Sequence, residues 1–274
     1  MRNAVVTLAV GKKYKILFNR VARSSWEMYC KKFSYDLIVA TELFDTSARA
    51  LSRSPAWQKL LILSQEFSSR YDNIIWLDAD IIINTDRAED ILHDAPVEKV
   101  CGVDAYAIPS KYINTLSLER QYRFWDANNI KYINNLSPSK YYLNRGIQCG
   151  AVSSVLQTGV FSCSPRHHKE IFEYVYYTYE DRYGAEYNYE MPAMSYELVK
   201  NNFTFWIQPE FNVTTAGYIS AFYPFLFNTY TLESGEILKF QALLNIYDLS
   251  FFMHFAGCAN FMLLFASMKK RYNE

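Results

Sequence analysis

Cysteine is scarce and scattered in this chain. Cys30, Cys101, Cys149, Cys163 and Cys258 show no paired metal-ligand spacing, and the odd count argues against a disulfide framework. A reduced, cytoplasmic protein is expected, so the Asn-x-Ser/Thr sequons at Asn135, Asn202 and Asn212 read as accidental. Net charge is missing too. The 28 basic and 28 acidic residues cancel, leaving no global field for nucleic acid or an anionic membrane. No apolar run approaches the roughly 20 residues that span a bilayer, so no transmembrane segment is expected. The apolar part of residues 1–10 is too short for a signal peptide and reads as a first strand. A glycine-rich phosphate loop is also lacking. Val10-Gly11-Lys12-Lys13 holds one glycine, which counts against a sugar-phosphate nucleotidyltransferase, one of the competing α/β readings. No internal repeat or linker divides the 274 residues, half of them hydrophobic, so one large domain with a sizeable core is expected.

What the chain has in excess is aromatic surface: 23 Tyr and 19 Phe. Tyrosine couples an apolar body to a polar tip and suits the wall of a sugar site or an interface, but AT-rich coding bias explains the count more simply. The local pattern begins with a strand at Ala4–Val10, a helix from Tyr14 to Lys31 and a strand at Tyr35–Ala40. Ser54-Pro55, a cap followed by proline, starts a helix that runs to Arg70 with Trp57, Leu60, Leu61 and Leu63 as its buried stripe. A strand from Asn73 follows. This alternation builds a parallel sheet flanked by helices.

Further on, the pattern predicts a short helix at Arg87–Leu92, a strand at Glu98–Asp104, a helix at Ile113–Asn128 and a loop at Lys131–Gly150. Then come a strand at Val155–Cys163, a helix from Pro165 to Tyr183 and another at Glu190–Asn201. Phe203–Val213 reads as extended, and Thr215–Tyr230 is aromatic without a clear period. Gly235–Asp248 is a helix, Phe251–Gly257 a last extended segment, and Phe261–Lys270 a docking helix.

The stretch of greatest interest is Asn73 to Ile83, where Asp78-Ala79-Asp80 interrupts a β-branched run that reads as a buried strand. Buried carboxylates need compensation. Either the strand ends in solvent at Asp78, or the two acids meet a divalent cation. The second option agrees with the rule that such sheets bind ligands outside the carboxyl ends of their strands. His254, among Phe251, Phe252, Met253 and Phe255, is either a satisfied core residue or a third ligand. Lys59 either points to solvent or reaches a phosphate or sugar.

The order of Trp57-Gln-Lys59-Leu-Leu, Trp76-Leu-Asp78-Ala-Asp80, Gln157-Thr-Gly159-Val-Phe161, Glu190-Met-Pro-Ala-Met, Pro209-Glu-Phe-Asn212 and His254-Phe-Ala-Gly257-Cys258 resembles a nucleotide-diphospho-sugar glycosyltransferase of the GT-A fold. It is most similar to the galactosyl-, mannosyl- and xylosyltransferases of fungal mannan and plant xyloglucan synthesis. Glycogenin and the bacterial lipo-oligosaccharide galactosyltransferases are more distant. The resemblance spans roughly residues 4 to 260.

It implies a single α/β domain with a central, mostly parallel sheet. Residues 1–104 would form the nucleotide-binding half, 105–260 the sugar and acceptor half, and 261–274 a terminal helix or tail. By the same resemblance, Thr7, Ala9, Val10 and Tyr14 hold the nucleoside, and Lys59 contacts the donor. Asp78, Asp80 and His254 ligate Mn²⁺ (or Mg²⁺), with Ala79 and Gly257 beside them. Gln157, Thr158, Gly159, Glu190 and Met191 surround the donor sugar, Glu190 and Gln157 being the catalytic candidates.

The implied reaction is transfer of a hexose, from UDP, to a glycan hydroxyl with retention. Two departures stand out. Glu190-Met191 replaces the family's usual Asp-Gln, and Cys258-Ala-Asn260 stands where a lysine is common. Both leave a non-catalytic glycan- or nucleotide-sugar-binding protein of the same fold as an alternative.

Overall fold

A computed structural model describes residues 1–180, 189–228 and 233–273. Strand β1 (Asn3–Leu8) runs into α1 (Gly11–Leu17), a single π-turn (Phe18–Ala22) and α2 (Arg23–Phe33), then β2 (Asp36–Ala40). After the short α3 (Ala48–Leu51) come two 3₁₀ segments, Pro55–Ser64 and Glu66–Arg70, and then β3 (Asn73–Leu77) and β4 (Ile81–Ile83). The second half holds β5 (Val100–Asp104), α4 (Lys111–Ala127), α5 (Pro138–Leu143), β6 (Leu156–Cys163), α6 (Pro165–Thr178) and α7 (Met191–Lys200). It closes with β7 (Thr204–Trp206), β8 (Val213–Thr214), α8 (Thr215–Phe222), α9 (Glu233–Leu249), β9 (Phe252–His254) and α10 (Ala259–Asn273).

Six strands form one sheet in the order β2-β1-β3-β6-β5-β7. The β1·β2, β1·β3 and β5·β7 pairs are parallel and only β6 runs against its neighbours, so five of the six strands point one way. The mixed α/β class with a mostly parallel sheet is therefore as expected. A small second sheet, β4-β9-β8, sits beside it.

Alternate residues of β1 and β3 serve two cores, as the period of two requires. Val5, Ile75 and Leu77 face Trp26, Phe18 and the small sheet, while Ala4, Val6, Ile74 and Trp76 face Trp57, Leu60, Phe161 and Phe172. Among the described residues no helix is long and apolar enough to cross a membrane.

Several local expectations are corrected. The first helix starts at Gly11 and is broken by the π-turn. Pro55–Ser64 is a 3₁₀ helix in which Trp57 through Leu63 are all buried, so it carries no one-sided stripe. Arg87–Leu92 is a set of turns. Asp90 Oδ1 accepts from Leu92 N, and the Tyr29 hydroxyl accepts from Ile91 N and donates to Glu89 O, so side chains take the groups a helix would have used.

The predicted loop at 131–150 contains α5, started by Ser137 capping Lys140 N with Pro138 behind it. Helix α6 ends at Thr178, and the expected end at Tyr183 lies outside the described residues. The segment at 203–213 splits into β7, a 3₁₀ turn (Pro209–Asn212) and the start of β8. The aromatic stretch contains α8 and a 3₁₀ turn (Pro224–Asn228); positions 229 and 230 lie outside the described residues. Helix α8 packs on α4 through Ser117 Oγ donating to Gly217 O (2.9 Å) and Ser220 Oγ donating to Ser117 O (2.7 Å).

Candidate metal centre

The run from Asn73 to Ile83 is two strands in two sheets, parted by a turn at Asp78-Ala79-Asp80. That turn lies at the carboxyl end of β3. Asp78 N donates to Gly159 O (2.8 Å), continuing the β3·β6 ladder for one residue, and Phe255 N donates to Asp80 O (3.0 Å), continuing β4·β9. The ladder register pairs Ile81 with His254. His254 therefore arrives beside Asp80 from a strand distant in the sequence.

Its Nε2 lies 3.3 Å from Asp80 Oδ1 and 4.0 Å from Asp78 Oδ2, and one ligating atom from each residue falls within 4.8 Å of the others. An octahedral ion about 2.1 Å from its ligands places cis donors roughly 3 Å apart and trans donors about 4.2 Å apart. The set fits such an ion, and its hard oxygens with one imidazole suit Mn²⁺ or Mg²⁺. Burial pushes the Asp80 carboxyl up, yet His254 beside it leaves it below the ordinary carboxylate value. Burial alone would lower the His254 imidazole, but Asp80 holds it above its ordinary value.

Glycine is required at 159. A β-carbon there would overlap His254 Cε1 and come within 2.8 Å of Nδ1, so that edge of the imidazole packs against bare backbone. On its far side His254 Nδ1 is 2.9 Å from Asn212 Oδ1, and Asn212 in turn bonds Gln157.

A second cluster adjoins the first. Lys59 is buried, not solvated, and its ammonium has three acceptors: Asp78 Oδ1 (3.0 Å), Glu190 Oε1 (2.9 Å) and Thr158 O (3.0 Å). Burial works against this charge, but Asp78 and Glu190 together hold it above its ordinary value. Trp76, two residues before Asp78 on the same face of the strand, donates Nε1–H to Asp78 Oδ1 (2.8 Å). Glu190 is fully buried at the start of α7. It does not cap that helix; its Oε1 also accepts from Thr158 Oγ1 (2.7 Å), and Oε2 has no partner among the described residues. Burial pushes its carboxyl up.

The structure thus brings together Lys59, Asp78, Asp80, Gln157, Thr158, Gly159, Glu190 and His254. Ala79 is buried in the turn, and Gly257 (φ +70°) is exposed beyond β9. Met191 packs with Tyr142 and Val155. Tyr14 is part-exposed, and its hydroxyl is raised by burial, then by Asp80 and Tyr189. Thr7 and Ala9 are buried at the end of β1, and Val10 precedes α1. A cleft of about 400 Å³ opens from Ala9 along Leu37, Val39 and Thr41 of the β2 side, under Lys15, Asn19 and Arg23. Asn212 and Trp76 were visible in the motifs but carried no role there; Trp76 could have been found from its two-residue spacing to Asp78.

No protein-family model matches this chain, and no curated protein matches it by sequence. Solved structures do. The chain is similar to a glycosyltransferase involved in glycosylation of the major capsid of PBCV-1, with a TM-score of 0.53 at 14% identity, covering 96% of this chain and 100% of that one. It is also similar to the bifunctional glycosyltransferase WbbM, with a TM-score of 0.51 at 14% identity, covering 93% of this chain but 46% of that one. What the chain shares with both is the fold.

Proposed function

We propose that this protein is a metal-dependent glycosyltransferase that moves a hexose from a UDP-sugar to a glycan hydroxyl with retention. The observation that carries the reading is the meeting of Asp78, Asp80 and His254, from two sheets, at the carboxyl end of β3 in a fold shared with glycosyltransferases. A divalent ion bound by these three residues supplies Lewis-acid stabilisation of the diphosphate leaving group.

The chain's own groups divide the remaining work. Thr7, Ala9, Val10 and Tyr14, with the adjoining cleft, take the nucleoside, so residues 1–104 form the nucleotide half and 105–260 the sugar and acceptor half. Lys59 pairs with both Asp78 and Glu190 and so sets one positive charge between the two carboxylates. The unpaired Glu190 Oε2 is the candidate to stabilise positive charge at the anomeric carbon, and approach from that face gives retention. The Gln157 amide has its oxygen bonded to Gly159 N (2.7 Å), which leaves its amine for a sugar hydroxyl. Backbone at Gly257 can approach the diphosphate, as the lysine common in the resembling enzymes is absent here.

Titration calorimetry with UDP should show binding that requires Mn²⁺ or Mg²⁺ and falls at least about 100-fold in Asp80→Ala. UDP binding indifferent to metal, or unchanged in Asp80→Ala, would sink the reading. A donor-hydrolysis assay with a panel of UDP-hexoses separates an enzyme from a nucleotide-sugar-binding protein.

A further inference from the structure

We infer that Asn212 is a positioning residue for His254: it fixes the neutral imidazole as its Nδ1–H tautomer and turns the Nε2 lone pair toward Asp78 and Asp80. The inference deepens the proposed metal site and rests on it only for what the lone pair is used for.

The argument starts from groups whose chemistry is not interchangeable. The two ends of a carboxamide have the same shape, so partners must decide which is oxygen and which is nitrogen. Gly159 N–H can only donate, so the Gln157 side-chain atom 2.7 Å away is its oxygen. The main-chain carbonyl of Gln157 can only accept. It and Gln157 Oε1 face the same Asn212 atom at 3.4 and 3.3 Å, so that atom is the Nδ2 amine, shared between two acceptors. The other end of Asn212 is then Oδ1, an acceptor, and the His254 nitrogen 2.9 Å from it must carry a proton.

A neutral imidazole has one N–H. With the proton on Nδ1, the lone pair is on Nε2, which faces Asp80 Oδ1 at 3.3 Å and Asp78 Oδ2 at 4.0 Å. Asn212 and His254 are both buried, so water does not compete for these bonds.

Without this relay the tautomer would reverse. The strongest acceptor near the ring is the Asp80 carboxylate on the Nε2 side, which by itself favours a proton on the nitrogen that must ligate. Asn212 opposes that preference from the other side. Its orientation is inherited from the backbone of β6 through Gln157, while Gly159 leaves the space that the Cε1–Nδ1 edge of the ring occupies. An orienting partner of this kind on a ligating histidine is worth about 10–100-fold in metal affinity.

The test is long-range ¹H–¹⁵N correlation NMR of the metal-free protein labelled at histidine, at a pH where the ring is neutral. The four histidines are assigned with His254→Gln. Wild type should show His254 as the Nδ1–H form. Asn212→Leu should move it toward Nε2–H and weaken Mn²⁺ binding about 10–100-fold, and Asn212→Asp, which keeps an acceptor facing Nδ1, should hold the tautomer and bind more tightly than the leucine variant. An Nε2–H ring in wild type overturns the inference whether or not a variant folds. So does a folded Asn212→Leu that binds Mn²⁺ within about twofold of wild type. An Nδ1–H ring in a wild type that binds no metal upholds the positioning role and removes the proposed metal-dependent function instead.

Discussion

Two buried histidines pack near β6, one just past its carboxyl end and one against its middle, and the protein binds the two in opposite ways. At the carboxyl end, His168 of α6 accepts from Ser164 N–H at Nδ1 (2.9 Å) and donates from Nε2 to Glu98 O (3.1 Å). Both nitrogens are spent on backbone, and burial lowers its affinity for a proton. At mid-strand, His254 packs against Gly159 with one nitrogen bonded to a neutral amide and the other facing two carboxylates. Both rings are equally hidden from solvent. What separates a structural histidine from a ligand is the partner of its second nitrogen.

The sharpest way to break this comparison is a pair of substitutions. His254→Ala should reduce Mn²⁺ affinity at least about 100-fold while leaving a folded protein. His168→Phe should do the reverse. It keeps Mn²⁺ affinity but loses roughly 2 kcal/mol of stability, because Ser164 N–H and Glu98 O are left without their partner. Calorimetry and chemical denaturation on both variants decide; equal loss of metal affinity in the two would collapse the distinction.

A smaller effect is expected from Gly159→Ala, which keeps both histidines but displaces the His254 ring. It should cost about 1–3 kcal/mol by overpacking, and Mn²⁺ should bind roughly tenfold more weakly.

The smallest effect lies in pH. The His168 pKa is lower folded than unfolded, so its neutral ring contributes stability that is complete above about 6.5 and lost as pH falls through the folded value. Thermal melts of wild type should fall more steeply below pH 6.5 than those of His168→Phe. Parallel slopes would show that the ring is not the group titrating.

The contrast also shows how much of the site was legible. Asp78 and Asp80 stood out because two acids interrupt a run of β-branched residues, a conflict that only a strand end or a ligand resolves. His254 stood out as one polar residue amid phenylalanines, yet nothing near it in sequence separates it from a core histidine. Its partners Asn212, from the 3₁₀ turn before β8, and Gly159, from β6, are distant in sequence, and only the fold joins them.

Pro55–Ser64 failed for another reason. Burial on every side conveys that a segment is covered but not its pitch, and the chain chose a 3₁₀ helix. Lys59 inside it left solvent and a donor contact equally open, because its three acceptors lie 19 to 131 positions away. Helix α5 carried the same Ser-Pro start as the segments at 54 and 164 but was hidden by its polar, tyrosine-rich surroundings.

The pairing of β4 with β9 gives the small sheet a meaning beyond support. Its ladder is three residues long and matches Ile81 with His254, Ile82 with Met253 and Ile83 with Phe252. Because side chains alternate across a strand, a slip of one residue would turn the imidazole into the hydrophobic core and a methionine or phenylalanine toward the carboxylates. The seating of Met253 and Phe252 therefore selects which atom faces Asp80. An ordinary apolar substitution there would edit the proposed ligand set without touching any of its three residues.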